Sequence, residues 1–380
     1  MIKILHFASV INRYDFIDTV LTELDKSNFQ IRALTVTEPK NRVGAYSAAE
    51  EYESRCLQLP LERRNYPKIF SRLKAEIVEF GPDILQTHHF DETVMGAILV
   101  RMGMVRRFVI GHHYSDHIYV LNKGLKRKFF LHVEKWCNGA ADRIVVPSQE
   151  VVSLLRGQGE DMKKVSQIPY GTDPTMLNAV NRVNVEAIRR EFKLDEKVVA
   201  LTSCRLNKEK GLDYLIKALP EILEQIPTFR LFMAGEGEKE PELRQMVSDL
   251  GLSSVVTFLG WRKDVLDWIS ACDFVIQPSL SESFCQVVIE SLILEKPIVV
   301  TPVGVAPDAI KSGERGGILV QIGSSSDIVR AVVSLSADRK YRDRLAQKGK
   351  DFVLSNFTIH STASKYENIY SEILQKRILN

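Results

Sequence analysis

Short apolar runs alternate with stretches of helical period along all 380 residues. The runs fall at 3–9, 30–36, 84–88, 108–112, 144–148 and 166–169 in the first half. In the second half they fall at 198–204, 230–234, 255–259, 274–278 and 298–302, with a weaker run at 317–322. Most are near-continuous Val, Ile, Leu and Phe, the pattern of strands buried on both faces of a parallel sheet. Between them, Leu212, Leu215, Ile216 and Leu219 form one apolar helical stripe. Pro220 predicts a kink or an end to that stripe.

The alternation predicts an α/β chain of two doubly wound parallel sheets. Pro169, Gly171 and Pro174 cluster ahead of a polar stretch at 178–184. They divide the chain into a first domain at 1–172, a second at 173–358 and a helical tail at 359–380, expected to cross back to the first. Two such domains are expected to face each other across a cleft. Open sheets of this kind take ligands at the carboxyl ends of their strands.

Composition narrows the class. A hydrophobic share of 45 % with 26 % charged residues fits a globular chain. No run approaches the roughly 20 apolar residues of a membrane helix, and no signal-peptide pattern opens the sequence. The expectation is a cytoplasmic protein. Cys56, Cys137, Cys204, Cys272 and Cys285 are scattered, without metal-finger spacing, so no metal site is expected. The net charge of +3 divides into +4 through Thr172 and −1 beyond it. That is too balanced to indicate nucleic acid.

Two segments of the second half carry candidate chemistry. Glu282, Ser283, Phe284, Cys285 and Gln286 follow the strand at 274–278 and open an apolar helix predicted at 287–294. Ser281 or Ser283 is a candidate cap. The amides of Phe284, Cys285 and Gln286 would then form an anion site at a helix N-terminus. Glu282 in the loop and Glu290 in the helix suit paired hydroxyls. The second segment, Arg205 to Gly211, puts Arg205 and Lys210 at a strand's carboxyl end. Arg grips phosphate oxygens bidentately and Lys acts as a point charge. Together these features describe a diphosphate flanked by hydroxylated groups, a nucleotide sugar.

At these residues the chain resembles the retaining glycosyltransferases of family 4, with the GT-B fold. The matches are Arg205-Leu206 with Lys210-Gly211, Gly235-Glu236-Gly237, Phe258-Leu259-Gly260, and Pro278-Ser279 through Glu282 to Glu290. Ile168 to Asp173, Gly304 and the run from Gly316 to Val320 match as well. The resemblance implies that Arg205 and Lys210 hold the donor diphosphate and that Glu290 binds the ribose. It assigns the transferred sugar to Glu282 and the backbone of Phe284, Cys285 and Gln286, and places Gly260 and Trp261 near the base. It also implies a metal-independent, same-face reaction. No cofactor is implied beyond a nucleotide-diphosphate sugar, UDP- or GDP-linked, as co-substrate. The acceptor would be a carbohydrate, a lipid-linked or a small-molecule hydroxyl.

Five of the eight histidines are His88, His89, His112, His113 and His117. By the resemblance His113 is the catalytic match facing the donor sugar, His112 its runner-up, and His88 lies near the acceptor. Packed histidines are the alternative. The first loop, 9–15, lacks the family's glycines, which leaves Arg13 as a candidate contact. Cys204 and the pair Ser283 and Cys285 also replace family glycines.

The basic stretch 101–128 and the alternation at 126–136 suggest peripheral contact with anionic lipid on the cytoplasmic membrane face. A solvated helix face is the other reading. Gly235-Glu236-Gly237 imitates a dinucleotide fingerprint but lacks its third glycine. A nucleotide-sugar epimerase of the same fold and a non-catalytic nucleotide-sugar-binding protein remain as alternatives.

Overall fold

The computed structural model describes residues 1–11, 16–36, 52–59, 62–113, 124–173 and 178–375. The chain divides into one unit of Met1–Asp173 with Phe357–Asn380 and a second of Pro174–Asn356. The strands of the first unit are β1 (Ile2–Ala8), β2 (Phe29–Thr35), β3 (Glu53–Cys56), β4 (Ile84–His88), β5 (Arg107–Gly111), β6 (Arg143–Val146) and β7 (Val165–Gln167). Those of the second are β8 (Val198–Ser203), β9 (Phe229–Ala234), β10 (Val256–Gly260), β11 (Phe274–Gln277), β12 (Ile298–Val300) and β13 (Gly317–Leu319).

The sheet orders are β3-β2-β1-β4-β5-β6-β7 and β10-β9-β8-β11-β12-β13, with parallel pairing throughout. In each sheet the chain winds outward from a central strand and then reverses direction. The reversal lies between β1 and β4 in the first unit and between β8 and β11 in the second. These are the points where the carboxyl-end loops diverge and leave room for a ligand.

Side-chain alternation sorts the first sheet into two cores. Leu5 and Phe7 pack with the helices Tyr66–Phe80 and Phe90–Arg101. Ile4 and Ala8 face the helices Phe16–Glu23 and Ile359–Gln375. Within the second unit, Leu212, Leu215, Ile216, Leu219 and Ile222 bury the predicted stripe.

Several expectations need correction. The helix Leu212–Gln225 runs through Pro220. Pro220 is exposed, and burial of Leu215, Ile216, Leu219 and Ile222 holds the helix together. The strand predicted at 298–302 ends at Val300, where Thr301 turns to donate to the Ser279 carbonyl at 2.5 Å. The run predicted at 317–322 forms strand only to Leu319. β3 carries no apolar run and was missing from the pattern. It is an edge strand, tied in by Glu53 to Arg32 at 2.7 Å.

Candidate active site

The reversal in the second sheet gathers most of the second-half candidates. β8 leads into the Arg205–Gly211 loop and β11 into the loop that carries Glu282. Glycines let these loops touch. A Cβ on Gly211 would lie 2.3 Å from the Pro278 carbonyl oxygen, and one on Gly304 would lie 2.4 Å from that of Phe284. Both have positive φ, at 61° and 59°, which suits glycine.

Lys210 and Glu282 form one ion pair there, with Nζ 2.7 and 2.8 Å from the two carboxylate oxygens. Both side chains are buried. Burial alone lowers the Lys210 pKa, but the Glu282 carboxylate outweighs it and holds the ammonium above its ordinary value. A string of hydroxyl and amide groups fixes the carboxylate. Thr202 donates to Gln277 Oε1 at 3.3 Å, and Gln277 Nε2 donates to Ser279 Oγ at 2.9 Å. Ser279 then donates to Glu282 Oε1 at 2.8 Å. An ammonium has three donors, so Lys210 can keep Glu282 and still offer one to an anion.

Arg205 lies beside this pair in sequence but differs in state. It is exposed, and its guanidinium binds no partner among the described residues. Its loop is knit to the next one by the Leu206 amide, which donates to the Glu236 carbonyl at 2.9 Å. That loop meets the last, where Gly235 donates to the Gly260 carbonyl at 2.7 Å and Trp261 to Glu236 Oε1 at 3.3 Å. Gly260 and Trp261 therefore sit at the same edge, with Trp261 exposed.

The helix opening here is Gln286–Ile293, and its cap is Cys285, not a serine. Cys285 has φ 71° and no side-chain cap bond. It stands in the left-handed conformation that glycine adopts without penalty. Among the described residues, the amides of Cys285 and Gln286 donate to no backbone carbonyl. The Phe284 carbonyl accepts from Val305 at 2.7 Å. Glu290 sits one turn into the helix, partly buried, with no cation against it among the described residues. Burial pushes its carboxyl up to about 7.

In the first unit the reversal between β1 and β4 holds a string of imidazoles. His6 Nδ1 meets His88 Nε2 at 3.1 Å, and His88 Nδ1 meets His113 Nε2 at 3.0 Å. His113 Nδ1 meets the Tyr170 hydroxyl at 2.9 Å. Burial lowers the pKa of all three, that of His6 to about 3. They are neutral imidazoles, each with one N–H to pass along the string. Gly111 makes the string fit, since a Cβ there would lie 2.4 Å from His113 Nε2.

Sequence reasoning singled out His88 and His113 and missed His6 and Tyr170. The signal for His6 was a lone imidazole in an apolar strand. His112 is turned away, fully buried and bonded to Glu134 at 2.9 Å. Glu92, also missed, is buried beside Ser9, which donates to it. Burial raises Glu92 to about 7. Arg13 and His117 lie outside the described residues. Among the described residues no group of three or more His, Cys, Asp or Glu side chains is arranged to hold a metal ion, and no helix is long and apolar enough to cross a membrane.

Comparison with known proteins covers both units. A family model described as "Glycosyl transferases group 1" matches residues 184–352, and one described as "Glycosyltransferase Family 4" matches 16–175. EpsD of Bacillus subtilis, named as a glycosyltransferase, is 26 % identical over 85 % of this chain and 84 % of its own. Matches to other curated relatives span 49 % to 64 % of their length. The sucrose-phosphate synthase of Thermosynechococcus elongatus superposes with a TM-score of 0.82 at 19 % identity, over 98 % of this chain and 99 % of that one. HepE of Anabaena, in complex with UDP-glucose, gives 0.79 at 19 % identity, over 98 % and 100 %.

Proposed function

We propose that this chain, which belongs to the group 1 glycosyltransferases of the GT-B fold, transfers a sugar from a nucleotide-diphosphate donor with retention of configuration. The donor is assigned to the second unit and the acceptor to the first. The observation that carries the reading is an exposed Arg205, without a partner among the described residues, in the same loop as the Lys210 that is buried against Glu282 at the reversal of the second sheet. One open cation and one held in place suit a diphosphate. The amides of Cys285 and Gln286, which donate to no backbone carbonyl among the described residues, suit its oxygens or the sugar. HepE, of the same fold, is described with UDP-glucose.

In the proposed reaction the bond from the sugar's anomeric carbon to the leaving phosphate breaks and one to the acceptor oxygen forms on the same face. The acceptor proton passes to the departing phosphate. Arg205 and Lys210 stabilise the charge that develops there, so no metal is assigned to the step. Glu290 accepts from the ribose hydroxyls, Glu282 orients Lys210 and the sugar, and Trp261 and Gly260 lie toward the base. His113, hydrogen-bonded to His88 and Tyr170, is assigned to the transferred sugar, and His88 to the acceptor side.

Arg205→Ala is expected to weaken nucleoside-diphosphate binding by about 10- to 100-fold, the worth of a charge-assisted hydrogen bond, with the thermal transition unchanged. Calorimetric titration with UDP- and GDP-sugars measures this, and unaltered affinity removes Arg205 from the donor site. NMR of the product anomer tests retention. Turnover in EDTA tests metal independence.

A further inference from the structure

The helix Gly124–Ala140 presents an apolar stripe to solvent. Leu125, Phe129, His132 and Trp136 are four, three and four residues apart, so they share one side of the helix. Leu125 is 84 % exposed, Phe129 65 % and Trp136 42 %. The opposite side, with Glu134 and Cys137, is buried against the unit. Among the described residues, Leu125 and Phe129 belong to neither core of this unit.

Charge defines what suits it. Lys126, Arg127, Lys128 and Lys135 are all exposed, and Lys126, Lys128 and Lys135 border the stripe. The helix has one acid, Glu134, and it is turned inward onto His112. The outer side is therefore purely basic and apolar. Arg101 extends it, with its guanidinium 4.7 Å over the Trp136 ring. Large apolar side chains set among cations are the chemistry of a helix lying in the interface of an anionic bilayer.

We propose that this face docks the first unit on anionic lipid, with Leu125 and Phe129 entering the acyl boundary and Lys126, Lys128 and Lys135 meeting the headgroups. The Glu134–His112 bond ties the helix to the strand end beside His113, so a docked chain would hold its acceptor-side residues next to the bilayer.

Flotation of the full chain with vesicles of phosphatidylglycerol and phosphatidylcholine tests this without any need for transferase activity. The wild type is expected to float with the anionic vesicles at low salt and to remain below with phosphatidylcholine alone. Replacing Lys126, Lys128 and Lys135 with Gln is expected to lower partitioning about 100-fold, at roughly fivefold for each charge. Leu125→Gln with Phe129→Gln is expected to abolish it, while Val183→Gln, exposed on the second unit, leaves it unchanged. Failure of the wild type to float overturns the proposal, as does flotation unaltered in both helix variants. A wild-type dimer that the Leu125 and Phe129 variant makes monomeric, with no vesicle binding, assigns the stripe to a second copy instead.

Discussion

Glu92 and Glu290 ionise near neutrality because burial governs both carboxyls, and the His89 imidazole 3.9 Å from Glu92 is itself held down by burial. For Glu92, the Ser9 hydroxyl opposes the shift but does not cancel it. Between its ordinary value of 4.5 and about 7, the folded chain keeps a proton that the unfolded chain has released. Stability therefore falls as pH rises through this window. At about 1.4 kcal/mol per unit the loss is about 3 kcal/mol. Glu92→Gln keeps an acceptor for Ser9 and has nothing to ionise. It is expected to be nearly neutral at pH 5 and to raise stability by about 2–3 kcal/mol at pH 8, read by denaturant unfolding at the two values. Equal effects at both would show that Glu92 does not titrate there. Cys285 shows a different strain: a side chain at φ 71° costs about 1–2 kcal/mol, tolerated where the loop must turn into the helix Gln286–Ile293.

Among the elements, the helix Leu212–Gln225 departs furthest from its local signals. Pro220 withholds one N–H and leaves the Ile216 carbonyl without its helical donor. Six buried apolar residues along the helix override it. Pro220→Ala is expected to stabilise the second unit by about 1–2 kcal/mol. That is the helix-propensity gain less the loss of proline's restriction on the unfolded chain. Thermal unfolding of the variant checks this, and a lower transition would mean that the proline ring itself packs. The edge strand β3 shows the reverse case. Its Glu-Ser-Arg-Cys sequence has no strand pattern, and ion pairs from Arg32 and Arg55 to Glu53 and Glu76 hold it in place.

Over the whole molecule, the chain leaves the first unit and returns to it. The helix Ile359–Gln375 buries Tyr366, Ile369, Tyr370 and Ile373 in that unit's core. Tyr370 donates to Gln86 at 2.6 Å, and Thr172 donates to the Phe357 carbonyl at 2.8 Å. Four such side chains, at about 2 kcal/mol each, contribute an amount comparable with the net stability of a domain. Removal of residues 357–380 is expected to unfold the first unit and leave the second with its own calorimetric transition. Retention of both transitions would show that the tail helix is dispensable.

The sequence by itself determined the α/β class and nearly every strand, because these follow from local periodicity, and its resemblance to the glycosyltransferases rested on motifs carried within single loops. It also exposed Arg205, Lys210, Glu282 and Glu290 as chemistry at strand ends. Only the tertiary structure decided what those groups touch. Lys210 and Glu282 are 72 residues apart and become one ion pair because β8 and β11 are neighbours. His6 and His88, separated by 82 residues, and His113 beyond them become one hydrogen-bonded string through β1, β4 and β5. Such pairings depend on strand order and on glycines that let backbones approach. His112, next to His113 in sequence, was sent to the other side of β5 by the alternation of the strand it follows.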